Sequence, residues 1–202
     1  MDTRTKFGCE LEISEYDPRL LNAFRVATGN RMTEADLTAI SNHKHTLYCI
    51  SSGVGIDQAR DMMRVGLALL DAGGTAVKIE SSGVAHSGAA WRGLIQAGGL
   101  VDFYAAYVVL VGGRDVFYSC GMHNLGLPDA SAPRSVGVEN AARILNTFNR
   151  YQIFEHPTLD DGHTFSSAKD EPRFRIAKAS CQAYPAGDPF YNPFGVWKLL
   201  PI

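Results

Sequence analysis

Two strand-like runs, Tyr104 to Val111 and Asp115 to Cys120, are separated only by Gly112, Gly113 and Arg114. So short a connection suits a tight antiparallel hairpin and leaves no room for the crossover helix that parallel neighbours need. A doubly wound parallel sheet therefore becomes the second choice of architecture. The surrounding order points to the first. Thr46 to Ser51 is a short apolar run bounded by small polar residues and reads as a buried strand. A helix capped by Asp57 follows, with Ala59, Met62, Met63, Gly66, Leu67 and Leu70 on one face and Gly73-Gly74 as its stop.

Thr75 to Ser81 is the next strand, and Ser87 to Ala97 a helix ended by Gly98-Gly99. After the hairpin, residues 119–133 read as a long irregular stretch by their Gly and Pro content. A helix is expected from Val136 to Arg150, with Val138, Ala141, Ala142, Leu145 and Phe148 on one side. A strand from Phe174 to Ala183 and a final run from Val196 to Leu199 complete the set. Without the helix at 87–97, the order is β-α-β-β-α-β, the split βαβ pattern of ferredoxin-like folds. The expected fold is thus an α+β, ferredoxin-like sandwich in one domain. It has a helical lead-in at 1–44, a core at 45–155, and a C-terminal extension at 156–202. In the lead-in, Thr33 with Asp36, flanked by Met32 and Leu37, has the form of a capping box with a hydrophobic staple.

Composition narrows the partners. A net charge of -2 and a pI near 6.3 give no basic footprint for a phosphate backbone, so nucleic acid is not expected. The N-terminal Met-Asp-Thr-Arg-Thr-Lys-Phe lacks the apolar region of a secretory signal. The most apolar run, Phe103 to Val111, has nine residues, whereas a bilayer span needs about 20. A cytoplasmic protein without a membrane partner is the expectation. Cys9, Cys49, Cys120 and Cys181 are dispersed and form no C-x-x-C pair, so they read as structural thiols.

Polar side chains gather in two places. Glu80 ends a strand and is followed by Ser81, Ser82, His86 and Trp91, a set that could offer a base, an acid and ligand-binding groups, or equally a solvated strand end with helix-capping bonds. The stretch from Cys120 to Asp129 carries His123, Asn124 and Asp129 on a Gly-containing loop; it suits a binding loop or a packed loop anchored by Met122, Leu125 and Leu127. Glu80, His86, Cys120 and His123 are all legitimate metal ligands but show no close metal spacing, so neither a metal nor a cofactor is expected. Gly53-Val-Gly55 imitates a dinucleotide fingerprint, yet Gln58 replaces its third glycine and Asp57 puts a negative charge where phosphate would dock. Asp160-Asp-Gly-His163 reads first as a turn. Tyr184, Phe190, Tyr191, Phe194 and Trp197, interleaved with prolines, read as a strap over an open core edge, or as an interface if exposed.

Gly73 to Ser87 together with Cys120 to Asp129 resembles a bacterial domain family of unknown function associated with toxin-immunity and type VI secretion neighbourhoods. The resemblance spans about residues 45–150. It implies a bacterial cytoplasmic protein and supplies no catalytic residues. Two functions follow: a non-enzymatic domain of immunity or accessory type whose Glu80–His86 loop and His123 loop form the surface for a protein partner or small molecule, or an enzyme with an acid-base pair drawn from Glu80, His86, His123 and Asp129 and with Ser81 or Ser82 orienting substrate.

Overall fold

The computed structural model describes residues 7–202. The N-terminal segment inspected for a signal sequence lies outside them, apart from Phe7. The fold is α+β, and the chain divides into two compact units, Met1–Ala106 and Tyr107–Ile202.

The first unit contains β1 (Glu10–Glu15), α1 (Leu20–Ala27), α2 (Glu34–Ser41), β2 (His45–Ile50), α3 (Ile56–Asp71), β3 (Ala76–Ile79), β4 (Val84–Ser87), α4 (Gly88–Ala97) and α5 (Leu100–Tyr107), the last crossing into the second unit by one residue. Its strands form two separate antiparallel ribbons, β1–β2 and β3–β4. The capping box of α2 is complete: Asp36 N–H donates to Thr33 Oγ1 at 3.1 Å, and Thr33 N–H donates to Asp36 Oδ2 at 3.0 Å. Two of the orphan donors at the helix start are satisfied in this way. Met32 packs with Phe24, Ile40 and Ala85, which joins α1, α2 and β4 in one apolar cluster. The wholly buried Trp91 links α4 to α3, donating from Nε1 to the Met63 carbonyl at 3.1 Å. A Cβ at Gly66 would lie 2.9 Å from that same nitrogen, so the glycine in the apolar face of α3 makes room for the indole.

The second unit holds β5 (Val109–Gly112), β6 (Val116–Cys120), β7 (Asp129–Pro133), α6 (Val138–Glu155), β8 (Thr164–Phe165), β9 (Phe174–Ala179) and β10 (Val196–Pro201). These strands form one sheet in the order β5-β6-β7-β10-β9-β8, antiparallel throughout except for the parallel pair β7–β10. The expected hairpin is present, closed by Gly113 N–H donating to the Val116 carbonyl at 2.8 Å. Ile144, Leu145 and Phe148 of α6 share a core with Ala130 and Ala132 of β7, Ile176 of β9, and Trp197 and Leu199 of β10. Alternate residues of these strands thus supply one apolar face for one helix.

The single split βαβ sheet is corrected by this arrangement. Strands at 45–50, 76–79 and 109–120 occupy three different sheets, because β2 pairs with β1 and β3 folds back on β4. Element order alone does not say which strands pair. Two local expectations are also corrected. The first half of the apolar run from Tyr104 is α5, whose start is fixed by Asp102 accepting from Gly99 N–H at 2.9 Å; only Val109 onwards is strand. Short apolar runs carry no periodicity that separates helix from strand. The irregular stretch at 119–133 contains a 3-10 turn at Met122–Leu125 and the central strand β7, whose Asp-Ala-Ser-Ala-Pro sequence lacks any large apolar residue. Among the described residues, no helix is long and apolar enough to cross a membrane.

Candidate functional site

In the first unit, the loop expected between Glu80 and His86 is a four-residue turn followed by β4. Ser82 and Gly83 N–H groups both donate to the Ile79 carbonyl, at 3.3 and 2.8 Å, and Gly83 takes φ 72° to close the turn. Glu80 projects from this turn into solvent and pairs with Lys78 Nζ at 2.5 Å. Ser81 is partly buried, whereas Ser82 is buried with an Oγ that has no hydrogen-bond partner among the described residues. His86 lies within the strand, opposite Val77, and is buried. Its Nε2 stands 3.0 Å from the Ala106 carbonyl; since a carbonyl only accepts, the proton is on Nε2. Burial lowers the pKa of this imidazole, and the ring tilts against Trp91 with centroids 5.4 Å apart.

Glu80 and His86 therefore do not form the acid-base pair considered from sequence. One is a solvated partner of lysine, and the other is a core histidine. Ser87 caps α4 by accepting from Ala90 N–H at 3.2 Å, so part of this segment's polarity serves the helix start. The dinucleotide-like turn is likewise filled from within. Gln58 folds against Gly53 and donates to Ser51 Oγ, occupying the space where a phosphate would approach.

In the second unit, Asp129 is the centre of a buried polar cluster. Its Oδ1 accepts from Ser119 Oγ at 3.1 Å and Met122 N–H at 3.2 Å, and its Oδ2 accepts from Asn192 Nδ2 at 2.7 Å. Ser119 Oγ itself accepts from Ala130 N–H at 2.9 Å, which leaves its hydrogen for the carboxylate. Burial nevertheless raises the Asp129 pKa from 3.8 to about 6, with the three donors acting against that rise. Burial, helped by the charge of Asp129, also pushes the Cys120 thiol up to about 12, so it stays protonated rather than becoming a nucleophile.

His123 and Asn124 sit in the 3-10 turn beside this cluster. Asn124 Nδ2 donates to the Gly121 carbonyl at 3.0 Å and so holds the turn. His123 is buried, and among the described residues neither ring nitrogen makes a hydrogen bond; burial lowers its pKa, while the nearby Pro189 carbonyl opposes that without meeting hydrogen-bond geometry. Asp129, His123 and Asn124 thus belong to one neighbourhood of the second unit, while Glu80, Ser81, Ser82, His86 and Trp91 belong to the first. Among the described residues, no group of three or more His, Cys, Asp or Glu side chains is arranged to hold a metal ion.

Asn192 is the residue that motif reading missed. Besides Asp129, its Nδ2 donates to the Leu127 carbonyl at 3.1 Å, and its Oδ1 accepts from Phe194 N–H at 2.9 Å. The aromatic segment is thereby tied to the start of β7. Tyr184 adds a second tie, with its hydroxyl 3.0 Å from that of Tyr118 and its ring stacked on Phe190. Trp197 is a buried core residue of β10. The only sequence signal for Asn192 was its place before Pro193, an ordinary turn signal. Asp160 to His163 is also a turn, secured by Lys178 N–H donating to Asp161 Oδ1.

A different surface feature lies on β1. All six of its residues are exposed. Leu11 and Ile13 are 54% and 71% exposed, and Leu47, directly opposite Ile13 on β2, is 43% exposed. Leu11 and Ile13 lie on the same side of the ribbon as Leu47, and that side is exposed.

Residues 118–200 match the family model of a domain of unknown function, DUF4261. The match begins in β6, ends in β10 and lies wholly within the second unit. It overlaps only part of the 45–150 stretch that suggested a bacterial family, and nothing in it links the chain to toxin immunity or type VI secretion. No curated protein and no solved structure matches the chain.

Proposed function

We propose that the chain is a non-enzymatic protein-binding domain and that the β1–β2 ribbon is its contact surface. The observation that carries this reading is the exposure of Leu11, Ile13 and Leu47 on one face of a two-stranded ribbon. Single exposed apolar residues are ordinary, but adjacent ones on a regular face favour a partner. The polar candidates support the same reading because most have structural partners: Glu80 with Lys78, His86 with Ala106, and Asp129 with Ser119, Met122 and Asn192. In this reading the protein works in the bacterial cytoplasm as an accessory or immunity-type protein, a setting suggested by the sequence resemblance.

Photo-crosslinking tests the contact surface. A photoreactive residue at position 13 or 47 should give a discrete protein adduct in cells, and one at exposed Arg150 should not. Absence of an adduct from both ribbon positions would reject the reading. An enzymatic alternative has one specific observation in its favour: buried Asp129, whose pKa burial raises, accepts from the same 3-10 turn that carries His123, a ring with no hydrogen-bond partner among the described residues. It predicts a small-molecule ligand whose binding shifts the His123 ring resonances. Unchanged resonances across a broad metabolite panel would count against it.

A further inference from the structure

The exposed strand β1 has one hydrogen-bonding edge engaged by β2 over a continuous six-residue register. Its other edge has no backbone partner among the described residues. Such an edge presents unpaired N–H and C=O groups and is a template for another strand. Natural edges are commonly blocked by charged side chains, lysine above all, by proline, by a bulge or by a covering element, and on β1 the charges are the three glutamates. The sequence Glu-Leu-Glu-Ile-Ser-Glu has no proline or lysine, and its pairing with β2 shows no bulge.

Charge decides which strand the edge can accept. Glu10 and Glu12 project on the face shared with Tyr48 and Ile50, while Glu15 lies on the face of Leu11 and Ile13. A second copy of β1 laid against this edge would bring six carboxylates into one short seam, and like charges across strands are destabilising. An extended segment with Lys or Arg at alternate positions meets the opposite condition. Its basic residues can face the glutamates, while intervening apolar residues meet Leu11 and Ile13. The glutamates thus oppose self-association and favour a basic partner.

We propose that β1 binds a basic, extended segment of a partner protein by strand addition. This inference rests on the ribbon being the contact surface, and it adds the partner's chemistry and its mode of docking. Main-chain hydrogen bonds would supply the shared recognition, and alternating side chains the selectivity.

The test uses the full chain and synthetic peptides of about eight residues, long enough to cover an ordinary strand. One alternates Lys and Val, one alternates Glu and Val, and a third is the Lys-Val peptide with alternate backbone nitrogens methylated. The Lys-Val peptide should bind and protect amides within Glu10–Glu15 from hydrogen exchange. The Glu-Val and methylated peptides should bind at least about tenfold more weakly, since one loses charge complementarity and the other loses backbone pairing. Replacing Glu10, Glu12 and Glu15 together with Gln should weaken the Lys-Val peptide by about tenfold, with an unchanged fold shown by its amide spectrum.

Equal binding of the methylated peptide would overturn strand addition, as would binding without protection of β1. Concentration-dependent dimerisation through β1 in place of peptide binding would overturn the choice of occupant. A ribbon crosslink in cells without Lys-Val binding would reject this inference while leaving the contact-surface reading intact. Lys-Val binding without a cellular ribbon crosslink would reject the biological reading and leave only an intrinsic property of the edge.

Discussion

Strands β1 and β7 reverse what their sequences suggest about burial. Glu-Leu-Glu-Ile-Ser-Glu alternates as a half-buried strand should, yet every residue of β1 is exposed. Asp-Ala-Ser-Ala-Pro looks like a loop, yet four of the five residues of β7 are buried. The difference lies in their neighbours. Among the described residues β1 has one strand partner, whereas β7 has β6 and β10 on its two edges and α6 across one face. Small side chains at Ala130 and Ala132 allow Ile144, Leu145 and Phe148 to pack there. Burial is therefore set by the elements around a strand as well as by the strand's own apolarity.

The largest perturbation should come from removing what covers β7. Phe148→Ala is expected to cost about 3–5 kcal/mol, because a wholly buried ring is replaced by a cavity. Urea denaturation measures this, and a loss below about 1 kcal/mol would break the account of the β7 core.

The pH response of Asp129 should be the next largest effect. Its folded-state pKa of about 6 lies above the ordinary 3.8, so the folded chain binds this proton more tightly. The resulting stability is fully present below about pH 4 and is lost as pH rises through about 6, with a full range of about 3 kcal/mol. His86 and His123 act in the opposite direction, since burial lowers both; their contribution is present above about pH 6.5 and is lost on acidification. Asp129→Asn should remove the acid-side gain and leave the histidine loss. Its stability should fall more steeply than that of the parent between about pH 7.5 and about pH 4.5 in urea titrations. Parallel pH profiles would contradict the assignment to Asp129.

Asn192→Ala should cost about 2 kcal/mol, since it removes a donor to buried Asp129 and bonds to Leu127 and Phe194. Hydrogen exchange should increase first in residues 184–195; protection unchanged there would show that the strap is held by other contacts. The smallest stability effect belongs to β1. Ile13→Ser is expected to change stability by less than about 0.5 kcal/mol, because the side chain already lies largely in water. The same substitution should reduce the ribbon crosslink, and a large stability loss would mean that Ile13 supports the fold.

Much of the local structure was legible before the fold was known. The Thr33–Asp36 capping box, the 3.6-residue face of α3 and the Gly112–Gly113 hairpin depend on contacts within a few residues. The location of Asp129 in a polar stretch was legible too, but its chemical setting was not. Asn192 reaches it across 63 positions of chain, and no local spacing announces that bond. Glu80 and His86 were close in sequence, yet a hairpin turn placed one carboxylate in solvent and one imidazole in the core.

By itself the amino-acid sequence determined where helices could start, where the chain could reverse, and which residue types were available for a site. Local hydrogen bonds and side-chain periodicity act over a few residues, so they remain visible along the chain. Only the tertiary structure decided that β7 lies inside a six-stranded sheet and that the first unit's strands form separate ribbons. It also decided which polar groups have partners. Strand pairing and burial arise from contacts between distant segments, and the same local pattern can satisfy its backbone hydrogen bonds in more than one pairing.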